Sequence, residues 1–200
     1  MPQFSLPLRF VGSYADAAQP LVKGNARFFD ASTVFAGSLL MALSAQVSFQ
    51  LPFSPVPWTG QTFGVLLVGA LLGSRRGAAA LMAYLLEGAV GMPVFAGGAA
   101  GAMRLFGPTG GYLLGFVPAA FVVGFLAERG WDRRFFTTCL AMIAGLIPIH
   151  LFGAVVLAGF VGWAKALPLG LYPFLPGDAL KILVAATLLP QGWRLMRALK

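Results

Sequence analysis

Six apolar runs, residues 31–49, 59–73, 77–91, 109–127, 135–163 and 176–191, rule out an ordinary soluble domain for this chain. A helix needs about 20 mainly apolar residues to cross roughly 30 Å of bilayer hydrocarbon. Within lipid it satisfies its own backbone hydrogen bonds, which an isolated strand or loop cannot do. Charged residues make up 10% of the 200 positions and mean hydropathy is +0.83, whereas about a quarter of a soluble domain is charged. The pattern predicts an all-α integral membrane protein with six transmembrane helices, of which 59–73 and 77–91 are the shortest spans.

The formal charge of +8 would suggest a nucleic-acid partner in a soluble protein, but in a membrane protein the placement of the cations reports orientation. Arg9, Lys23 and Arg27 precede the first run. Arg75 and Arg76 lie between the second and third, Arg129, Arg133 and Arg134 between the fourth and fifth, and Arg194, Arg197 and Lys200 follow the sixth. All of these fall on one side of a six-span layout, while the other side holds only Arg104 and Lys165, and Lys181 lies within a span. Both termini are therefore expected in the cytoplasm, with no nucleic-acid role. The lone Cys139 excludes an internal disulfide. Residues 1–30, interrupted by Pro2, Pro7, Gly12, Pro20 and Gly24, read as a loose or interfacial cytoplasmic segment before a single domain over 31–200. They lack a secretory signal's basic start and compact apolar core, so the first span is expected to remain as an anchor.

The connections expected outside are the elaborate ones: a proline-rich 51–57, a glycine-rich 91–111 and residues 164–173. Ionisable groups within spans are costly, roughly 2.5 to 3.5 kcal/mol at mid-bilayer on insertion scales, so they are the first candidates for function. They are Glu87, Asp178 and Lys181, and with Arg104 in the glycine-rich loop they are expected to converge on the outer half of the bundle. Asp178 and Lys181 stand three apart and share a helix face, with Pro176 suited to the first turn. Trp58 and Tyr112 flank the same region, whereas the other tryptophans read as interfacial anchors. His150, two residues after Pro148, is expected to be a hydrogen-bonded structural histidine rather than a proton relay. Small residues four apart, Ser38 and Ala42, suit close helix packing within the bundle or against a partner. No phosphate-binding Gly-Lys-Ser/Thr loop, metal-ligand cluster or nucleophile motif is present, so neither a cofactor, a metal nor an enzymatic activity is expected.

Several stretches, in order, resemble one family. They are Leu51-Pro52-Phe53-Ser54-Pro55-Val56-Pro57-Trp58-Thr59-Gly60-Gln61-Thr62, Tyr84-Leu85-Leu86-Glu87-Gly88, Pro93-Val94-Phe95-Ala96-Gly97-Gly98, Gly107-Pro108-Thr109-Gly110-Gly111-Tyr112 and Pro176-Gly177-Asp178-Ala179-Leu180-Lys181. This chain is similar there to the BioY family, the biotin-specific substrate-capture (S) components of energy-coupling-factor (ECF) transporters. The resemblance implies a six-helix S-component fold in a bacterial cell membrane, a biotin site open to the outside, and coupling to a transmembrane scaffold subunit with two ATPases. It also implies that Asp178 and Lys181 belong to the binding site. Arg104, Glu87, Tyr112, Thr109, Gln61, Trp58 and Tyr84 complete the expected set. On this reading Asp178 accepts from the ureido N–H groups, Lys181 donates to a ligand oxygen and orders Asp178, and Arg104 takes the carboxylate, although the residues leave open which cation meets which oxygen. Two other classes stay open: a self-sufficient, oligomeric biotin transporter, and a small membrane-embedded acyl- or phosphotransferase. The latter would need catalytic groups at the cytoplasmic face.

Overall fold

The computed structural model describes residues 12–19 and 25–198. It is a helical bundle: α1 (Tyr14–Ala18), α2 (Ala26–Gln46), α3 (Gln61–Leu72), α4 (Ser74–Ala89), α5 (Gly110–Glu128), α6 (Phe135–Val161), α7 (Trp163–Gly170) and α8 (Leu175–Ala198). Between α2 and α3 a two-residue antiparallel pair, β1 (Ser48–Phe49) and β2 (Trp58–Thr59), closes the proline-rich loop on itself.

Local chemistry sets the helix ends. The Asn25 side chain accepts from the Arg27 backbone N–H at 2.9 Å and starts α2. Gly73, at φ +85°, separates α3 from α4 in a conformation that glycine alone adopts without strain. That break explains a departure from expectation. Among the described residues α2, α5 and α6 are each long and apolar enough to cross a membrane, and α7 with α8, bent by 44°, pass together as a fourth unit. The 12-residue α3 reaches only about 18 Å at 1.5 Å per residue, and the 16-residue α4 begins with Ser74, Arg75 and Arg76. Neither is a full-length apolar span in its own right.

Burial is inverted at the surface, as a lipid solvent requires. On α2, Phe28, Phe35, Leu39 and Leu43 are all exposed, a stripe of large apolar groups that water would not tolerate. The interior is small and close-packed, with α5 at its centre against α3, α4 and α6. A Cβ at Gly115 would lie 2.8 Å from the Pro148 carbonyl oxygen and 2.9 Å from Ile149 Cα, so the α5 and α6 backbones touch there. This is the packing that bilayers favour, since dispersion and not water exclusion drives helix association.

Residues 13–18 are not loose. Ser13 and Asp16 form a reciprocal capping box, the Tyr14 hydroxyl donates to the Leu189 carbonyl, and its ring packs on Trp193 at 4.3 Å. Arg76 binds Asp16 at 2.6 Å and Asp30 at 2.7 Å. The N-terminal segment thus docks beneath α4 and α8, at the end of the bundle away from the glycine-rich loop. Arg9, Lys23 and Lys200 lie outside the described residues.

Candidate ligand-binding cavity

At the loop end the bundle encloses a cavity of about 530 Å³, a size typical of small-molecule sites. Val56, Phe95, Tyr112, Phe116, Ile149 and Phe174 form its apolar walls, and Gln61, Thr62, Arg104, Thr109, His150 and Lys181 its polar ones. The segments that build it come from every part of the chain. The β-paired loop supplies Val56 and Thr59, the glycine-rich loop Phe95, Arg104 and Thr109, the turn before α8 Phe174, and helices α3, α5, α6 and α8 the rest of those named.

One wall is an ionic cluster. The Lys181 ammonium donates to Thr62 Oγ1 at 2.6 Å, to the Thr59 carbonyl at 2.9 Å and to Asp178 Oδ1 at 3.3 Å. Those three acceptors match the three protons an ammonium carries. The same cation sits 4.8 Å from the Trp58 ring centroid, within cation–π range. Asp178 is only 2% exposed and does not itself line the cavity. Its Oδ1 also accepts from Thr62 Oγ1 at 3.1 Å, and its Oδ2 lies 2.8 Å from His150 Nε2. A carboxylate this deep persists as an anion only when paired and hydrogen-bonded on both oxygens. Here it is.

Arg104 has a different character. It stands on a short 3₁₀ turn, Ala102–Phe106, lines the cavity and is exposed. Among the described residues its guanidinium makes no hydrogen bond or ion pair within the protein, so its donors remain free.

Gln61, Thr109 and Tyr112 also line the cavity. The Tyr112 hydroxyl donates to the Gly170 carbonyl at 2.7 Å, fixing the ring as a wall. Tyr84 and Trp58 stand behind the lining. Tyr84 is fully buried, accepts from Gln61 Nε2 at 2.8 Å, donates to the Val94 carbonyl at 3.1 Å and packs edge-on to Phe95. It joins α3 and α4 to the glycine-rich loop. Glu87 departs from the expected convergence: its Oε1 accepts from Ser38 Oγ of α2 at 2.9 Å and it does not line the cavity. One turn beyond Tyr84, α4 packs against α2, and Glu87 takes its partner there.

Two polar contributors were not assigned to the site from sequence, where Thr62 was unremarked and His150 was expected only as a hydrogen-bonded structural histidine. Thr62 follows Gln61 directly, inside a stretch that had already drawn attention. His150 is 28 residues from Asp178, and nothing in the local pattern of α6 says that it meets α8.

A bundle with apolar outer faces that encloses a ring-walled cavity, lined by a lysine paired to a buried acid and by an arginine with no internal partner among the described residues, is built as an integral membrane protein. Comparison with known proteins agrees. A model of the BioY family matches residues 21–198, and the chain belongs to that family. It is 38% identical over 165 residues to the biotin transporter BioY of Rhizobium etli, covering 78% of this chain and 88% of that one. It is 44% identical over 149 residues to the biotin transporter BioY of Thermotoga maritima, covering 74% and 85%. Among solved structures it is similar in fold to the S-component for biotin from an ECF-type ABC transporter, with a TM-score of 0.74 and 23% identity over 86% of this chain and 95% of that one.

Proposed function

We propose that this chain captures biotin from the outer side of the membrane and serves as the substrate-specific subunit of an ECF-type transporter. The observation that carries the reading is the unlike state of the two cavity cations: Lys181 has all three protons engaged, whereas among the described residues Arg104 has none of its donors committed. A ligand with one neutral polar head and one carboxylate suits that arrangement. Biotin's carboxylate goes to Arg104, where a charge-assisted, two-pronged contact is available. Its ureido head goes to the Lys181 wall, where the ammonium's positive charge, not a spare proton, faces the ureido oxygen and the Asp178 charge behind it favours the N–H groups. The rings of Phe95, Tyr112 and Phe116 enclose the apolar bicycle and chain.

The cations at the other end of the bundle, Arg75, Arg76, Arg129, Arg133, Arg134 and Arg194, support a cytoplasmic placement of that end and of both termini. The cavity then faces outward. With no phosphate-binding loop of its own, the chain draws energy for uptake from partners, which on this reading are a scaffold subunit and two ATPases; it performs no catalysis itself.

Equilibrium binding to purified protein in lipid nanodiscs tests the ligand. Biotin should bind in preference to thiamine, riboflavin and folate. Arg104→Gln should lose roughly 10- to 100-fold affinity for biotin, the worth of one charged hydrogen bond, and far less for the uncharged biotinamide. Equal binding of all four vitamins would overturn the reading. Uptake into vesicles holding this chain alone, against vesicles that also hold scaffold and ATPases, separates a subunit from a self-sufficient transporter.

A further inference from the structure

We propose that His150 is the positioning residue of this site, a clamp on Asp178 that fixes where the Lys181 ammonium stands and thereby sets recognition of the ligand's head group. The inference rests on the biotin reading and goes beyond the acid–base pair of α8.

Three observations carry it. First, His150 is held from behind. Its backbone lies one residue beyond the point where Gly115 of α5 meets Pro148 and Ile149 of α6, and its ring meets the Tyr112 ring edge-on, with 6.4 Å between centroids. Tyr112 is itself tied to Gly170. Secondly, His150 Nε2, 2.8 Å from Asp178 Oδ2, is the polar partner of that oxygen, while Lys181 and Thr62 both bind Oδ1. Thirdly, His150 Nδ1 is buried and has no hydrogen-bond partner among the described residues. A proton there would be an unsatisfied buried donor, so the network assigns the proton to Nε2, which donates to Asp178. With that bond both oxygens of Asp178 are held.

The consequence is geometric. The terminal torsion of an aspartate is soft and broad, so a carboxylate gripped on one oxygen alone can swing and draw the ammonium with it. Gripped on both, it points Oδ1 at one place. Lys181 is thereby held against Thr59 and Thr62 at the cavity wall, where the ligand's head arrives.

The experiment compares three variants with the wild type in biotin binding, in binding of 2-iminobiotin (whose ureido oxygen is replaced by an imino nitrogen), and in melting temperature. A glutamine places its amide N–H near the Nε2 position, whereas an asparagine is too short and a leucine has no donor. His150→Asn and His150→Leu should lose roughly 10- to 100-fold affinity for biotin and lose much of the preference for biotin over 2-iminobiotin. His150→Gln should recover most of both at a similar melting temperature. Wild-type affinity and preference in His150→Asn and His150→Leu would overturn the inference alone. So would a loss that is equal for the two ligands in all three variants and tracks a fall in melting temperature. Absence of biotin binding by the wild-type protein would overturn the biotin reading, and the inference with it.

Discussion

Removing Lys181 alone and removing it together with its acid are different perturbations. Lys181→Met strands a buried carboxylate with only Thr62 and His150 for company, and breaking a buried pair in this way costs about 3 to 5 kcal/mol. The double variant Asp178→Asn, Lys181→Met leaves no unpaired charge and should recover much of that stability, yet regain no biotin affinity. Thermal melts and binding isotherms on the same preparations check both halves. A double variant as unstable as the single one would show that the cluster serves packing rather than charge balance. Arg104 forms a contrast, because an exposed cation without partners among the described residues can be lost with little change in stability. At this scale much was legible in the sequence. The i,i+3 spacing puts Asp178 and Lys181 on one face whatever the tertiary structure does, and 3.3 Å is the result. His150 was not legible as part of the site, since a residue 28 positions away is placed by helix packing and not by helix period.

Among the elements, the contact between α5 and α6 decides the cavity. Gly115→Val would push two methyl groups into the Pro148 carbonyl, a backbone atom that cannot move aside. Overpacking of that kind costs about 1 to 3 kcal/mol or more, and here it should also weaken biotin binding by displacing His150. Gly159→Val, on the same α6 but with nothing within 4 Å of the added carbon, should leave both properties close to wild type. Comparing melting temperatures of the two variants in one detergent tests the assignment. The element order was legible from the apolar runs, and α2, α5, α6 and α8 lie over their expected runs. The docked α1 was not: its capping box, Ser13 with Asp16, is a sequence signal, but the prolines around it hid a helix of only five residues. Its stability comes from Tyr14 and Asp16 meeting partners far along the chain.

Over the whole molecule, polar chemistry is segregated to two ends, the cavity at one and a tie of α1, α4 and α8 to the α5–α6 turn at the other. Asp132, in that turn, is fully buried and accepts from the Trp193 indole N–H at 2.5 Å. Burial pushes its carboxyl up to about 6, against the opposing effects of Trp193 and Arg133. The native state therefore holds more protons than the unfolded chain between about pH 4 and pH 6, and stability falls as pH rises through that window. Above it the cost is constant, on the order of 3 kcal/mol for a shift of this size. Asp132→Asn, which keeps an acceptor for Trp193, should flatten the melting temperature between pH 4 and pH 6 and raise it at pH 7.5. An unchanged slope would sink the assignment. The sequence by itself determined that the chain is helical and lives in lipid, that an acid and a base stand one turn apart on the last helix, and that a lone cation occupies a loop unable to continue a helix. These follow from composition and from the 3.6-residue period, which are local. Only the tertiary structure decided that Glu87 turns to Ser38, that His150 meets Asp178, and that Lys181 is saturated while Arg104 has no partner among the described residues. Those outcomes depend on how far each helix is rotated and slid against its neighbours, which is set by close backbone contacts such as Gly115 on Pro148, between residues far apart in the chain.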